Sequence, residues 1–303
     1  MKFSVVIPTK DRLTDLQKCI QSLISQTMRP KEIIIIDGSS TKIIEEYFKI
    51  LQSYSGILFK YVKQKEGKFG RAKNLGVAET EGDVILFVDD DVVLDNRHIE
   101  ELNEVYDRDA DHLVGAVQGF CTNIEYYNRL KTTYCRFFML GGCFGDESRL
   151  LPSGTIVVPA KLLETKKANG FVGPAHSYRK SVFSEFHFDE VYEYGDELNF
   201  SVRVSSKYKL YITPFAKFVH NLSPVGRNAE TYQLKNTYAR YYVFKNIMPQ
   251  TNRNKLYFLW SHIGYLIGYL GMSLIKPTKQ NCDYAKGSIK GTNLIIRSMR
   301  AGK

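Results

Sequence analysis

Residues 82–92 read GDVILFVDDDV, an apolar run that leads directly into three carboxylates. We expect residues 83–88 to form a strand covered on both faces, because their apolar side chains are contiguous rather than alternating. Asp89, Asp90 and Asp91 follow its carboxyl end, where open α/β sheets place their ligands. Three adjacent acids repel one another, so a divalent cation with a phosphate-bearing substrate is the natural occupant. An isolated acidic triplet is also typical of a solvated turn, and other parts of the chain must distinguish the two.

Upstream of this stretch, strand and helix patterns alternate. The strand patterns cover Phe3–Thr9, 32–36 and 57–62, and the helical patterns cover residues 13–24, with Asp11 as the expected cap, Ile43–Leu51 and 72–79. A β-α-β-α-β-α-β order predicts an α/β fold with a mostly parallel sheet and right-handed crossovers. Residues 1–100 are therefore expected to form a nucleotide-binding half. The sequence contains neither GxGxxG nor GxxxxGK[ST], which excludes the dinucleotide-binding and P-loop classes.

The pattern changes after residue 113. Short strands at 113–117, 155–158 and 209–212 alternate with helical stretches, and beyond residue 223 a tyrosine-rich helix precedes an apolar run. We therefore expect one α/β domain over residues 1–222 and a helical extension over 223–303. A chain of 303 residues has room for such an arrangement.

The composition narrows the classes of partner and compartment. The net charge of +10 favours an anionic partner such as a nucleotide, a nucleic acid or an acidic lipid. Five cysteines without a CxxC pair indicate a reduced compartment, with neither a zinc site nor a disulfide framework. The first residues already follow a strand pattern, so we expect no signal peptide and a cytoplasmic location.

Seven segments, in this order, resemble the family 2 glycosyltransferases of the GT-A fold. They are VVIPTKDR, EIIIIDGSS, GRAKNLG, GDVILFVDDD, GFVGPAHSYRKSVF, FDEVYEYGDELNFSVR and a lone His220. Members of this family transfer a sugar from a nucleotide diphosphate with inversion at the anomeric carbon. The resemblance covers roughly residues 3–220, and it implies a GT-A domain whose acceptor half is 101–222.

The resemblance implies a set of nucleotide-binding residues. They are Pro8, Thr9, Asp11, Arg12, Asp37, Lys68, Arg71, Lys73, Asp89 and Asp90. Asp37 would accept a hydrogen bond from a base N–H, which favours UDP, whereas GDP and dTDP remain alternatives; by itself Asp37 is also typical of a turn before Gly38. Lys68, Arg71 and Lys73 would place positive charge for the phosphates at a helix start.

The acidic triplet resembles the family's DxD motif. In that pattern Asp89 faces the ribose or a metal-bound water, and Asp91 binds Mn²⁺ or Mg²⁺. The resemblance thus implies a metal site of Asp91, Asp89 and His220, although a lone histidine is otherwise most often structural. Such a metal acts as a Lewis acid on the leaving diphosphate.

The resemblance also implies a catalytic base, and here the chain departs from the family. Relatives usually carry Glu-Asp, whereas this chain has Asp196-Glu197. Alignment on Phe200 and Arg203 puts Glu197 on the base position and Asp196 beside it. A base must come within about 3 Å of the hydroxyl that it deprotonates, so the extra methylene of Glu197 matters. We prefer Glu197 and keep Asp196 as the alternative.

The C-terminal fifth combines an apolar segment with a basic tail. Residues 256–275 contain no Asp, Glu, Lys or Arg, and the tail 276–303 holds seven Lys or Arg and one acid. The length would just span a bilayer, but Trp260 and three tyrosines are better suited to a membrane interface. We expect 256–303 to contact an anionic membrane peripherally. A spanning helix, packing against the catalytic domain, and a homo-oligomer formed through the GxxxG pair Gly264 and Gly268 are the alternatives.

The expected activity is metal-dependent transfer of one sugar from a nucleotide-diphosphate sugar to a hydroxyl of a glycan or lipid-linked acceptor, at the cytoplasmic face of a membrane. The sequence lacks the QxxRW motif of processive synthases, which favours single additions. The alternatives are a polyprenyl-phosphate glycosyl synthase of the dolichyl-phosphate-mannose type and a sugar-nucleotide-binding protein without transferase activity. A nucleotidyltransferase would need a Gly-rich loop after the first strand, and PTKDRLTD lacks one. No nucleic-acid-binding signature occurs, so we expect no nucleic-acid partner.

Overall fold

The structure is a computed structural model that describes residues 1–54, 56–65, 68–190, 195–223, 225 and 228–300. Two features of the sequence analysis fall partly outside these ranges. Residues 191–194 belong to the FDEVYEYGDELNFSVR segment, and Lys303 belongs to the basic tail.

The described residues form strands, α-helices and a short 3₁₀-helix at Lys180–Ser184. The strands are β1 (Phe3–Thr9), β2 (Glu32–Asp37), β3 (Leu58–Lys63), β4 (Val84–Val88), β5 (Val92–Leu94), β6 (Val114–Cys121), β7 (Gly142–Cys143), β8 (Arg149–Leu150), β9 (Ile156–Val158), β10 (Lys166–Ala168), β11 (Ala175–Arg179) and β12 (Lys209–His220). The helices are α1 (Leu13–Ile24), α2 (Ile43–Leu51), α3 (Phe69–Ala78), α4 (His98–Asp107), α5 (Arg129–Phe137), α6 (Asp196–Ser205), α7 (Ala229–Ile247), α8 (Asn252–Ile275) and α9 (Lys279–Arg300).

A central sheet in the order β10-β12-β6-β11-β4-β1-β2-β3 organises the fold, and β5 pairs with β12 beside it. The neighbours β4, β1, β2 and β3 are parallel, as are β6 and β12. Strand β11 runs antiparallel between β4 and β6. This arrangement confirms the predicted α/β fold with a mostly parallel sheet. Strands β7, β9 and β8 form a separate small sheet.

The contiguous apolar strands are buried on both faces, as predicted. Val5 and Ile7 of β1 pack on one side of the sheet, in the cluster that contains Leu16 and Ile20 of α1. Val6 points to the opposite side, into the cluster that contains Phe200. Apolar burial on both faces stabilises the sheet and holds its carboxyl edge in place.

Two local expectations were wrong. Asp11 does not cap α1: its φ is 56°, and Arg12 occupies the N-cap position without a side-chain capping bond. An aspartate tolerates this left-handed conformation, which lets the backbone N–H of Asp11 donate to Ser39 Oγ at 2.8 Å. The strand expected at 209–212 extends to His220, with an irregularity between Ile212 and Lys217. That extension brings His220 alongside Val92 of β5.

The last three helices pack on one another and on the α/β part. Helices α7 and α9 approach closely, because a Cβ at Gly291 would lie 2.8 Å from the carbonyl oxygen of Leu234. Phe244 of α7 lies against Gly154, whose added Cβ would be 2.9 Å away. On α8, Gly264 of the GxxxG pair lies against Phe138 of the same chain. The domain boundary at 222/223 stays a prediction.

Candidate active site

Two carboxylates and an imidazole meet where β4 and β12 end and β5 begins. Ligand atoms of Asp89, Asp91 and His220 all lie within 4.8 Å of one another. His220 Nε2 is 3.0 Å from Asp91 Oδ1, and the backbone N–H of Ser223 donates to Asp91 Oδ2 at 3.0 Å. These two contacts orient Asp91, whose side chain is almost fully buried. The structure therefore brings together the three residues predicted as metal ligands.

Asp90 is not part of this cluster and binds Thr9 and Arg12 instead. Thr9 Oγ1 donates to Asp90 Oδ2 at 2.8 Å, and the Arg12 guanidinium donates to Asp90 Oδ1 at 3.1 Å. The same guanidinium nitrogen lies 3.7 Å from Asp91 Oδ2. Asp90 thus anchors the acidic loop to the end of β1, while Arg12 offsets part of its negative charge.

The electrostatics of the acidic loop favour a cation. Burial raises the pKa of Asp89 well above its ordinary value; the positive charge of Lys73 opposes this rise, and Glu197, Asp91 and Asp90 add to it. Burial also raises the pKa of Asp90, against the opposing effect of Arg12. Carboxylate oxygens suit Mg²⁺ and Mn²⁺, and an imidazole is a common additional ligand for transition metals. The donor set of Asp89, Asp91 and His220 therefore fits Mn²⁺, and its two carboxylates also suit Mg²⁺.

A second acidic pair opens α6. Lys73 Nζ donates to Asp196 Oδ2 at 2.7 Å and to Glu197 Oε1 at 2.9 Å. The side chains of Lys73 and Asp196 are only 1% and 2% exposed, whereas that of Glu197 is 20% exposed. The structure places the Lys73 ammonium group between the carboxylates of Asp196 and Glu197. Its predicted contact with the phosphates of a donor stays a prediction. Of the two acids, Glu197 is the one that an acceptor could reach.

The surroundings shift the pKa values of Asp196 and Glu197 in opposite directions. Burial and the neighbouring Glu197 carboxylate raise the pKa of Asp196. Burial would also raise the pKa of Glu197, but the charge of Lys73 outweighs it, and the pKa of Glu197 is lowered. Glu197 is therefore ionised at neutral pH, as a general base must be.

A network at the end of β2 holds Asp37. Asp37 Oδ2 accepts bonds from Tyr61 and from Lys63, both at 2.8 Å, and Oδ1 accepts the backbone N–H of Ser39. Burial raises the pKa of Asp37, but these donors outweigh it and lower the pKa overall. In the β1–β2 register Asp37 lies opposite Thr9, and Pro8, which precedes Thr9, lies opposite Ile36. A contact between Asp37 and a nucleobase stays a prediction.

Tyr61 and Lys63 were not predicted as partners of Asp37. Both lie at the end of β3, the strand next to β2, and Lys63 lies opposite Asp37 in the register. The signal was available, because the carboxyl ends of neighbouring parallel strands meet at one edge of a sheet.

The N-terminus of α3 carries the remaining predicted cations. Lys68 is the N-cap residue and Arg71 is an exposed residue of the first turn. Gly70 lies within this turn, and a Cβ there would be 2.3 Å from the carbonyl oxygen of Asp189. Only glycine allows this close approach. The phosphate-binding role of Lys68 and Arg71 stays a prediction.

A cavity of about 930 Å³ opens beside His220. It lies among the ends of β6 and β12 and the segments 158–159 and 172–174, and its polar lining includes Gln118, Asn123 and Glu125. Its size and its position next to the acidic cluster suit a sugar-sized substrate group.

Comparison with known proteins places the chain in a family. The model of glycosyl transferase family 2 matches residues 4–186, so the chain belongs to that family. Among the relatives, Glycosyltransferase GlyG of Streptococcus pneumoniae is 25% identical over 198 residues, which cover 64% of this chain and 62% of GlyG. The match thus spans less than two thirds of that relative's length.

Solved structures of glycosyltransferases share the fold. Mannosyltransferase PcManGT from Pyrobaculum calidifontis, in complex with GDP-Man and Mn²⁺, superimposes with a TM-score of 0.60 at 12% identity, over 96% of this chain and 87% of that one. S. aureus TarS 1-349 in complex with UDP-GlcNAc superimposes with a TM-score of 0.57 at 14% identity, over 96% and 81% of the two chains. These similarities establish the GT-A fold for this chain.

Proposed function

We propose that this protein is a metal-dependent, inverting glycosyltransferase. It moves one sugar from a nucleotide-diphosphate sugar, UDP-linked in our proposal, to a hydroxyl of a glycan or lipid-linked acceptor in the synthesis of a surface polysaccharide or glycoconjugate. The observation that best supports this proposal is the pairing of two acidic sites. The cluster of Asp89, Asp91 and His220 could hold a metal, and Glu197 is close enough to influence the pKa of Asp89.

The donor half of the site would be built from the ends of the parallel strands. Asp89, Asp91 and His220 would hold Mn²⁺ or Mg²⁺, which as a Lewis acid offsets the charge of the leaving diphosphate. Thr9 and Asp37 would lie along the nucleoside. Lys68 and Arg71 would bind the phosphates from the start of α3, where the helix N-terminus also favours anions.

In the transfer step, Glu197 would accept the proton of the acceptor hydroxyl. The hydroxyl oxygen then attacks the anomeric carbon from the face opposite the diphosphate, the bond to the diphosphate oxygen breaks, and the configuration inverts. Lys73 would support this role by holding Glu197 ionised. Asp196, buried and bonded to the same ammonium group, would orient Lys73. Glu197 is our choice over Asp196 because its carboxylate is the more exposed of the two.

The choice of UDP rests on Asp37 and on a fold neighbour. A carboxylate at the end of β2 can accept the N–H of a pyrimidine, and TarS was solved with UDP-GlcNAc. Because Asp37 is buried and both of its oxygens accept bonds from Ser39, Tyr61 and Lys63, the base would have to displace one of these donors. PcManGT was solved with GDP-Man, so a guanosine donor is the competing outcome. The acceptor would enter the cavity beside His220.

A donor screen tests the proposal. The protein is incubated with Mn²⁺ and, in turn, UDP-GlcNAc, UDP-glucose, UDP-galactose and GDP-mannose, and release of the nucleoside diphosphate is measured with water as the acceptor of the sugar and Glu197 as the base that deprotonates it. We expect release from one UDP-sugar, loss of release with chelator, and at least a hundredfold slower release by Glu197→Gln with unchanged donor binding, because general bases contribute about 10²–10⁴-fold. Glu147→Gln, at an exposed glutamate that pairs with Arg149 on the surface, serves as the matched control. Full activity of Glu197→Gln, or release that ignores chelator, would contradict the assignment.

A further inference from the structure

The outward side of α8 is apolar along nearly its whole length. We define the α8 apolar face as Leu256, Leu259, Trp260, Ile263, Ile267, Leu270 and Leu274. These residues are between 38% and 81% exposed. Their spacing places them within a stripe about 100° wide and about 27 Å long. A helix side that faces water normally carries polar residues, so this face needs a partner.

The opposite side of α8 packs against the rest of the protein. Phe258, Ser261, His262 and Gly264 are buried there. Arg240 of α7 donates to Ser261 Oγ at 2.9 Å, and His262 Nε2 lies 3.0 Å from Thr292 of α9. By length and composition α8 could cross a membrane. A membrane-spanning α8 would lose these contacts with α7 and α9. The apolar face therefore suits a surface on which the helix lies flat while its opposite side stays packed.

Helix α5 extends the apolar face sideways. The indole N–H of Trp260 donates to the carbonyl oxygen of Phe137 at 2.7 Å, and the two rings are 5.2 Å apart. Phe137 is 63% exposed, and Leu130, two turns earlier on the same side of α5, is also exposed. The apolar surface therefore includes two neighbouring helices.

The charge around this surface selects the partner. Residues 252–300 contain eight Lys or Arg and one acid, Asp283. Helix α5 adds Arg129, Lys131 and Arg136 without an acid. A second copy of the chain would bring the same positive charge, whereas an anionic lipid surface complements it. Trp260 also suits the boundary between lipid headgroups and acyl chains.

We propose that the α8 apolar face docks on a bilayer that contains anionic phospholipid, with α8 parallel to the membrane plane. The apolar side chains enter the headgroup and acyl boundary, and Lys and Arg side chains of α5 and of residues 252–300 meet the phosphates. Docking does not require sugar transfer, so it can be tested without a known donor or acceptor. If the enzyme is membrane-bound, a lipid-linked acceptor becomes the natural substrate class for the proposed function.

Vesicle sedimentation of the full chain tests this proposal. The protein is mixed with vesicles of phosphatidylcholine alone or of phosphatidylcholine with phosphatidylglycerol. We expect binding to the second kind only, weakened by added salt. The double substitution Ile267→Glu and Leu270→Glu should lower the partition coefficient at least tenfold, because each buried apolar side chain contributes roughly that factor. Leu163→Glu, at an exposed leucine outside α8, is the matched control and should bind as the wild type does.

Two results would overturn the proposal that the α8 apolar face docks on a membrane. Vesicle binding that the double substitution leaves unchanged would overturn the proposal, since the substituted residues are exposed and their change should not affect folding. Absence of vesicle binding, together with a dimer in analytical ultracentrifugation that the same substitutions dissociate, would overturn it in favour of a second copy. Thermal unfolding of each variant confirms that it is folded before binding is compared.

Discussion

Substitution of Lys73 by methionine tests how the two acidic residues of α6 are held. The Lys73 side chain is 1% exposed, and its ammonium group contacts Asp196 at 2.7 Å and Glu197 at 2.9 Å. Lys73→Met keeps most of the side-chain volume and removes the charge, which leaves two neighbouring carboxylates without their cation. Removal of one partner from a buried ion pair destabilises by roughly 3–5 kcal/mol. We expect a loss of about 4 kcal/mol in the free energy of unfolding at pH 8, a large part of the total for an ordinary domain.

The same substitution should change the pH dependence. At an effective dielectric constant of about 20, unit charges 2.9 Å apart attract by roughly 6 kcal/mol, which partial exposure of Glu197 reduces. Without this attraction the pKa of Glu197 rises, so the acidic limb of kcat/KM should move up by about two pH units or more. Protonation of the pair relieves its repulsion, so the loss of stability should be smaller at pH 5 than at pH 8.

Urea unfolding at both pH values and a pH profile of donor turnover measure the two effects. Lys166→Met is the matched control, because Lys166 pairs with Asp146 at 2.8 Å on the surface. An exposed pair is worth about 0–1 kcal/mol, so this control should unfold nearly as the wild type does. Equal stability of the two variants, together with an unmoved acidic limb, would refute the proposed role of Lys73.

Three further predictions concern the metal cluster, the buried histidines and the start of α3. His220→Ala should weaken Mn²⁺-dependent nucleotide binding about tenfold or more in calorimetry, because one of three ligands is lost; unchanged affinity would exclude His220 as a ligand. Burial lowers the pKa values of His98 and His262 to about 4, so the unfolded chain binds protons below about pH 6.5 that the folded chain does not. Each histidine should therefore lower the stability by about 2 kcal/mol between pH 7 and pH 5, whereas the raised pKa values of Asp89, Asp90 and Asp196 act in the opposite direction. The test is therefore a comparison with His262→Gln, which should lose less stability than the wild type over this range in urea unfolding; an equal loss in both proteins would contradict the prediction. Gly70→Ala should lower the melting temperature by several degrees, because its Cβ would lie 2.3 Å from the backbone of Asp189; a variant as stable as the wild type would show that the loop yields freely.

The sequence predicts the parallel half of the sheet well because its signals are local. Strands β1, β2 and β4 contain contiguous apolar stretches. A polar residue comes at the carboxyl end of each, as Thr9, Asp37 and Asp89. The metal cluster was predicted from the acidic triplet and from the position of His220 in the family pattern. In the structure β12 continues to His220 and so brings this residue to the acidic loop, whereas the strand predicted from the sequence ended at residue 212.

What the sequence does not predict depends on contacts between distant segments. Lys73 and Asp196 are 123 positions apart, so no local pattern could show that a predicted phosphate ligand pairs with the predicted base region. Asp11 shows the limit at short range, because its left-handed backbone is stabilised by Ser39 from another loop. The packing of Gly264 against Phe138 likewise links two helices far apart in the chain. Tertiary contacts decide each of these cases.

Calorimetric titration of UDP in the presence and absence of Mn²⁺, on the wild type and on Asp91→Asn, tests the metal-dependent donor site most directly. Asp91 is held by His220 and by the Ser223 backbone, so its amide variant keeps the shape of the site while removing one negative charge. We predict UDP binding that requires Mn²⁺ and that Asp91→Asn weakens at least tenfold. UDP binding that is equal with and without Mn²⁺, or equal in both proteins, would contradict the account.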